Sequence, residues 1–177
     1  ILKSYPLLYM FTKCLESADA REIELFFQLS VDGTFYDAFI PDFLESFSKE
    51  GIGKHYRYFY KAEYDESFKH QRNVAKRLLL SMLFARNGSK PIVERIFKSK
   101  FPTILKAIRG FKRDNGYEKL SHMVFQLEAE TMLNVVGRAF NNKYYRTAPL
   151  FTLHDCLITT VDHLGQMNEV MIEEFIK

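Results

Sequence analysis

The pair His154-Asp155 stands between two apolar runs, in the stretch LFTLHDCLITTV of residues 150–161. Imidazole and carboxylate groups are well suited to proton transfer and to metal binding. Runs rich in β-branched residues at 147–152 and 157–161 predict two short strands joined at this pair. A tip fixed by two strands would hold Asp155 rigidly enough to bind a divalent metal. The alternative is an ordinary hairpin turn, where Asp is common.

A second candidate is a row of residues spaced by four, namely Arg72, Lys76, Leu80 and Phe84, which we call the cationic strip. Steps of four keep side chains on one side of a helix, so two cations, an apolar residue and an aromatic residue adjoin one another. The cations suit a triphosphate, and the aromatic end suits stacking on a base. The alternative is a solvated basic face whose Leu80 and Phe84 belong to the core.

A third candidate is Gln126, which lies in the apolar stretch FQLEAETML upstream of the predicted hairpin. A glutamine amide both donates and accepts hydrogen bonds, so Gln126 could contact nucleic acid or the hairpin tip. It could equally be a polar position that faces solvent. The spacing of the surrounding residues does not separate these two interpretations.

The charge of the chain is concentrated in one block. The formal net charge of +3 over 177 residues only mildly favours a polyanionic partner. Within residues 69–113, however, Glu94 is the sole acidic residue. This basic block is typical of a phosphate-binding surface, and also of a solvated helical surface. Its basic residues are Lys69, Arg72, Lys76, Arg77, Arg86, Lys90, Arg95, Lys98, Lys100, Lys106, Arg109, Lys112 and Arg113.

The composition is that of one domain with a buried core, because 47% of the residues are hydrophobic and 27% are charged. No apolar run reaches the roughly 18 residues that a membrane span needs, and we see no signal peptide, so we expect a cytoplasmic protein without a membrane partner. Cys14 and Cys156 fit no zinc pattern and are expected to be reduced thiols. Because the sequence begins at Ile1 rather than Met, we expect it to be a piece of a longer protein.

Helical periodicity covers most of the chain, so the predicted fold class is α+β, predominantly helical, with a small antiparallel hairpin at about 147–161. Asp19 is a candidate helix N-cap, and Gly51 with Gly53 predicts a loop. Predicted helices cover 5–15, 18–30, 66–86, 117–142 and 163–177, and shorter ones follow Gly33, Pro91 and Phe101. The predicted apolar side of the 117–142 helix consists of Leu120, Met123, Val124, Leu127, Met132, Leu133, Val135 and Val136.

Taken in order, the three candidates resemble the polymerase core of family A DNA polymerases and of the related single-subunit phage-type RNA polymerases. The fingers helix of that family carries Arg, then Lys four residues on, then an aromatic residue, then Tyr-Gly. The stretch RNVAKRLLLSMLFARNG resembles it through Arg72 and Lys76. Leu80 stands where the family has a larger residue, Phe84 replaces Tyr, and Gly88 falls later than the family's Gly.

The later part of the chain is also similar to this family. The stretch FQLEAETML resembles the family's helix with a Gln, and TLHDCLITT resembles its palm hairpin, with Cys156 in place of Glu or Ser. The stretch MNEVMIEEF is similar to the helix after that hairpin. In the RNA polymerase branch a small polar residue follows the first catalytic Asp by four positions. If Ser4 is that residue, the Asp stands immediately before Ile1.

The resemblance implies a polymerase palm and fingers fragment, with a fingers-like part at about 20–118 and palm-like parts at 1–19 and 119–177. It implies template-directed nucleotidyl transfer with two Mg²⁺ ions, on a nucleic acid primer-template and a nucleoside triphosphate. The isolated chain is expected to be inactive, because one metal ligand would lie upstream. The alternative is a non-catalytic nucleic-acid-binding helical module.

The roles of individual residues follow from the resemblance. Asp155 would be a catalytic metal ligand, and Arg72 and Lys76 would bind the triphosphate. Lys76 would also pass a proton to the departing pyrophosphate. Leu80 and Phe84 would complete the nucleotide site, with Phe84 near the templating base pair. His154 and Gln126 would contact the primer end.

Overall fold

The computed structural model describes residues 6–145, 147–153 and 156–176. These residues are predominantly helical and include one small two-stranded antiparallel sheet, so the predicted fold class is confirmed. The chain divides into two compact units, Ile1–Ser121 and His122–Lys177. Among the helices of the described residues, none combines the length and the apolar composition that crossing a bilayer requires.

The first unit is a helical assembly whose core is largely aromatic. Helix α3 packs on α4, and α1 packs on α6. Phe39 and Phe97 stack in this core with ring centroids 5.8 Å apart, and Phe101 lies within 6.0 Å of Phe39. The helices are α1 (Pro6–Leu15), α2 (Ala20–Val31), α3 (Ile40–Tyr60), α4 (Phe68–Phe84), α5 (Pro91–Lys100) and α6 (Pro102–Asn115), with a 3₁₀ turn at Asp37–Phe39 before α3. The boundary between the two units falls within α7 (Tyr117–Ala129), after Ser121.

Local signals explain where several of these helices begin and end. The Asp19 carboxylate accepts the Arg21 N–H at 2.8 Å, which confirms the predicted N-cap of α2. The Ser67 hydroxyl accepts the His70 N–H in the same way at the start of α4. Gly88 has a φ of 77° in the loop that follows α4, a conformation that glycine adopts without steric cost. The start of helix α4 is therefore set by its own sequence, whereas the helix ends at Phe84, before Gly88.

The loop predicted at Gly51 and Gly53 is wrong, because both residues lie inside α3. The break in that helix falls instead at Ser48, whose φ is 58°. Gly53 is buried, and a Cβ atom there would lie 3.0 Å from Cδ1 of Tyr64. Glycine therefore permits close packing of a helix at this position rather than a turn.

The second unit has a small core formed by Val136, Phe140, Met167 and Val170. The predicted 117–142 helix changes its hydrogen-bonding pattern at Glu130, where a π-helix begins. The elements that follow α7 are the π-helix Glu130–Gly137, α8 (Arg138–Lys143), β1 (Phe151–Leu153), β2 (Cys156–Ile158), a 3₁₀ turn at Val161–His163 and α9 (Leu164–Ile176).

The buried side of the long helical segment is narrower than predicted. Leu120, Met123 and Val136 are buried, whereas the exposed fractions of Val124 and Val135 are 38% and 40%. Of the other residues predicted on this side, Leu127 is exposed, and Met132 and Leu133 are half-buried. The π-helix displaces the side chains after Glu130 from the 3.6-residue period on which the prediction relied, whereas Val124 and Leu127 precede it and lie on the exposed side of α7.

The two strands are shorter than predicted. Thr147 belongs to a turn, because its N–H donates to the Tyr144 carbonyl at 3.0 Å. Pro149 has no N–H to give to a sheet, and its carbonyl accepts the Thr159 hydroxyl at 2.7 Å. These contacts limit pairing to three residues in each strand, with Leu153 opposite Cys156.

Candidate functional site

The cationic strip lies along α4, beside the face that the helix buries. Its neighbours Val74, Ala75, Leu78, Leu79 and Met82 are buried in the core of the first unit. Within the strip, Lys76 is exposed, and Arg72, Leu80 and Phe84 are half-buried. The amphipathic pattern therefore leaves the two cations at the edge of the core, and the apolar end partly inside it.

Arg72 is held by the segment that precedes α3. Its Nε lies 2.8 Å from Oδ1 of Asp37, and its Nη2 donates to the Gly33 carbonyl at 2.9 Å. Its guanidinium carbon also lies 5.6 Å from the centroid of the Tyr36 ring. A guanidinium has five N–H donors, so these contacts fix its position without using all of them.

Lys76 shares the Tyr36 ring with Arg72. The Lys76 Nζ lies 5.9 Å from the ring centroid, within the range of a cation–π contact. Burial raises the pKa of the Tyr36 hydroxyl, and the positive charge of Arg72 partly offsets this rise. Two cations and a neutral aromatic ring are therefore grouped on one side of α4.

The sequence predicted Arg72 and Lys76 but gave no indication of Tyr36 and Asp37. The stretch VDGTFYDAF predicts only a turn followed by a short helix. Asp37 lies 35 positions before Arg72, a separation over which local periodicity carries no information. The one local signal was Asp32-Gly33, which places a turn there; the Gly33 carbonyl then accepts the Arg72 hydrogen bond.

The other predicted site residues belong to the second unit. Gln126 is exposed on α7. His154 and Asp155 lie outside the described residues, whereas the strands on either side of them are described. The hairpin packs against Gly137 in the π-helix, where a Cβ atom would lie 3.4 Å from Cδ2 of Leu157. Close packing on the π-helix thus positions the strand that follows Asp155.

The described residues, 6–145, 147–153 and 156–176, contain no metal-binding group of three or more His, Cys, Asp or Glu side chains. Asp155, the ligand that the resemblance implies, is outside these ranges. Asp19 is the first aspartate of the sequence, and its carboxylate caps α2.

The basic block is divided by the fold between interior and surface. Lys112 is buried, and its Nζ donates to the carbonyls of Met82 and Ala85 at 2.9 and 3.0 Å. Burial lowers the pKa of Lys112 to about 8, with Glu94 opposing this shift. Lys112 therefore caps the C-terminal end of α4 and is no part of a phosphate-binding surface.

Comparison with known proteins adds no relative. No protein family matches the chain, and no curated protein or solved structure matches it either.

Proposed function

We propose that the chain is part of a template-directed nucleotidyltransferase of the DNA polymerase type. The observation that carries the proposal is the pairing of Arg72 and Lys76 on one side of α4, above the Tyr36 ring. A triphosphate is a compact group of negative charges, and two adjacent cations on a rigid helix complement it. The order of the strip, Gln126 and the His154-Asp155 pair along the chain gives further support.

In this proposal Arg72 and Lys76 bind the triphosphate, and each does so in a different way. The contacts to Asp37 and Gly33 orient the Arg72 guanidinium before a ligand arrives, which lowers the entropy cost of binding. Lys76 is exposed and can approach the departing pyrophosphate to donate a proton. Leu80 and Phe84 supply apolar surface beside the bound nucleotide.

Asp155 is the proposed ligand for magnesium, and His154 and Gln126 are the proposed contacts to the primer end. Magnesium held by proteins commonly takes one or two carboxylates together with substrate phosphates. Bound there, the metal would activate the primer hydroxyl and stabilise charge on the phosphates.

A second candidate function, a non-catalytic nucleic-acid-binding module, is favoured by the exposed cations of α5 and α6, which are Lys98, Lys106, Arg109 and Arg113. It shares the phosphate-binding role of the basic block but gives Asp155 no chemical role. The two functions differ in whether the protein uses nucleoside triphosphates.

Replacing Lys76 with Gln tests the triphosphate site in the chain itself. We expect the Kd for a fluorescently labelled nucleoside triphosphate to rise about tenfold, because a charge-assisted contact of about 1.5 kcal/mol is lost. Lys76 is exposed, so the variant should fold normally. Lys69→Gln, an exposed lysine of the same helix outside the strip, is the matched control. An equal loss in both variants would contradict the proposed site.

A further inference from the structure

A groove in the first unit is lined by a group of cations outside the cationic strip. Its volume is about 620 Å³, and it lies along α6, beside the end of α1 and the last turn of α5. Four exposed cations line it, and we call it the basic groove: Lys98, Lys106, Arg109 and Arg113. No residue of the cationic strip lines this groove, so the two surfaces are separate.

The described lining of the basic groove contains a single carboxylate, that of Asp114. Asp114 pairs with its neighbour Arg113 at 2.7 Å, but both side chains are largely exposed, so water weakens the pair. Arg109 contacts the buried Glu94. Lys98 and Lys106 form no ion pair with any residue that the structure describes. The groove therefore has an excess of positive charge that its own residues do not balance.

The cations of α6 form a row. Lys106, Arg109 and Arg113 are spaced by three and four residues, so they follow one side of the helix over about 10 Å. Lys98 approaches the groove from α5. A row of charges suits a polymeric anion better than a single phosphate, and guanidinium groups bind phosphate oxygens in pairs.

The middle of this row is open. Gly110 lines the groove between Arg109 and Arg113, and a Cβ atom built on it would meet no atom within 4 Å. A glycine inside a helix costs roughly 1 kcal/mol relative to alanine. This open position leaves room for a ligand to lie directly against the helix.

We propose that the phosphodiester backbone of a nucleic acid strand lies in the basic groove along α6, in contact with Lys98, Lys106 and Arg113. The choice of nucleic acid over an acidic protein rests on the proposed function. The proposal adds a second phosphate-binding surface, distinct from the triphosphate site at Arg72 and Lys76.

The open position at Gly110 provides a test that leaves the cations in place. Gly110→Glu puts a carboxylate into the groove, and Gly110→Gln adds a side chain of the same shape without charge. Both should raise helix propensity alike, so their stabilities should match. We expect Gly110→Glu to weaken binding of an oligonucleotide of about 16 nucleotides roughly tenfold more than Gly110→Gln does. Fluorescence anisotropy on the 177-residue chain measures both.

A second pair of variants tests the cations themselves. The slope of log affinity against log salt concentration reports the number of phosphate contacts. Lys106→Gln should make this slope shallower by the amount that corresponds to about one contact. Lys119→Gln removes an exposed lysine outside the groove and should leave the slope unchanged. The affinity is measured for a single-stranded and for a duplex form of the oligonucleotide. The form that binds more tightly is the one whose backbone lies in the groove, and either outcome supports the proposal.

Three results would contradict the proposal that the groove binds nucleic acid. They are no oligonucleotide binding by the unmodified chain, equal binding by Gly110→Glu and Gly110→Gln, or a polyglutamate peptide that competes as well as the oligonucleotide itself. None of these depends on the triphosphate site. Gly110→Glu should bind labelled triphosphate as the unmodified chain does, and Lys76→Gln should not. If the groove variants bind the oligonucleotide as the unmodified chain does, while Lys76→Gln still binds triphosphate more weakly, the groove proposal fails and the proposed function stands.

Discussion

The Arg72 Nε lies 2.8 Å from Oδ1 of Asp37, and its Nη2 donates to the Gly33 carbonyl, so a residue proposed to bind substrate is also part of the packing of its unit. This dual use has a physical advantage. A guanidinium fixed by neighbours loses little further entropy when it binds phosphate. Lys76, one turn later, is exposed, so a departing pyrophosphate can approach its ammonium group for proton donation.

At the same scale, Lys112 shows what burial does to a lysine of the basic block. Its pKa of about 8 lies below the 10.5 of an ordinary lysine, so between these values the unfolded chain binds more protons than the folded chain. Stability from this group therefore rises as pH increases from about 8 to about 10.5.

Urea unfolding of the unmodified chain and of Lys112→Met across this pH range tests whether this contribution to the free energy of unfolding rises with pH. We expect the unmodified chain to gain unfolding free energy relative to the variant as the pH rises, because deprotonation relieves the buried charge of Lys112. Lys119→Met, at an exposed position, is the control. A difference that shrinks with pH would show that the charged form of Lys112 stabilises the fold.

At the scale of elements, α6 is capped by a residue that lies far away in sequence. Phe101 precedes this helix and offers no side-chain hydrogen bond. The Glu22 carboxylate of α2 instead accepts the N–H groups of Thr103 at 2.9 Å and of Ile104 at 3.2 Å. The Thr103 hydroxyl in turn accepts the Asp19 N–H at 2.7 Å. The N-terminal ends of α2 and α6 are thus joined by reciprocal hydrogen bonds.

We expect Glu22→Gln to lower the free energy of unfolding by about 1 kcal/mol, because a carboxylate at a helix N-terminus is lost while the shape is kept. Chemical denaturation measures the change. Glu24→Gln, an exposed position on the same helix, should change stability by less than about 0.5 kcal/mol. Equal effects of the two substitutions would indicate that Glu22 does not cap α6.

The elements that the sequence predicted well are those with local signals. The start of α2 follows from Asp19, whereas α4 ends at Phe84, two residues before the predicted end at 86. The errors arose where a distant contact decides the outcome. Gly53 lies in a helix and packs closely against Tyr64, and Asp37 meets Arg72 through the tertiary fold. A single sequence contains no record of such contacts.

At the scale of the whole molecule, both units contribute residues to the proposed function. The first unit supplies Arg72 and Lys76, and the second contains Gln126, His154 and Asp155. The sequence resemblance predicts this combination from the order of the motifs. The structure adds the contacts that hold Arg72, the packing of the hairpin on the π-helix at Gly137, and the basic groove, which no motif indicated.

The most direct test of the central claim is primer extension by the gene product that contains this chain, with Mg²⁺, a primer-template and nucleoside triphosphates. We predict extension by the unmodified protein and its loss in Asp155→Ala, with primer-template binding largely retained because the phosphate-binding cations are unchanged. Extension by Asp155→Ala at the unmodified rate would contradict the account, as would an unmodified protein that binds primer-template and never extends it.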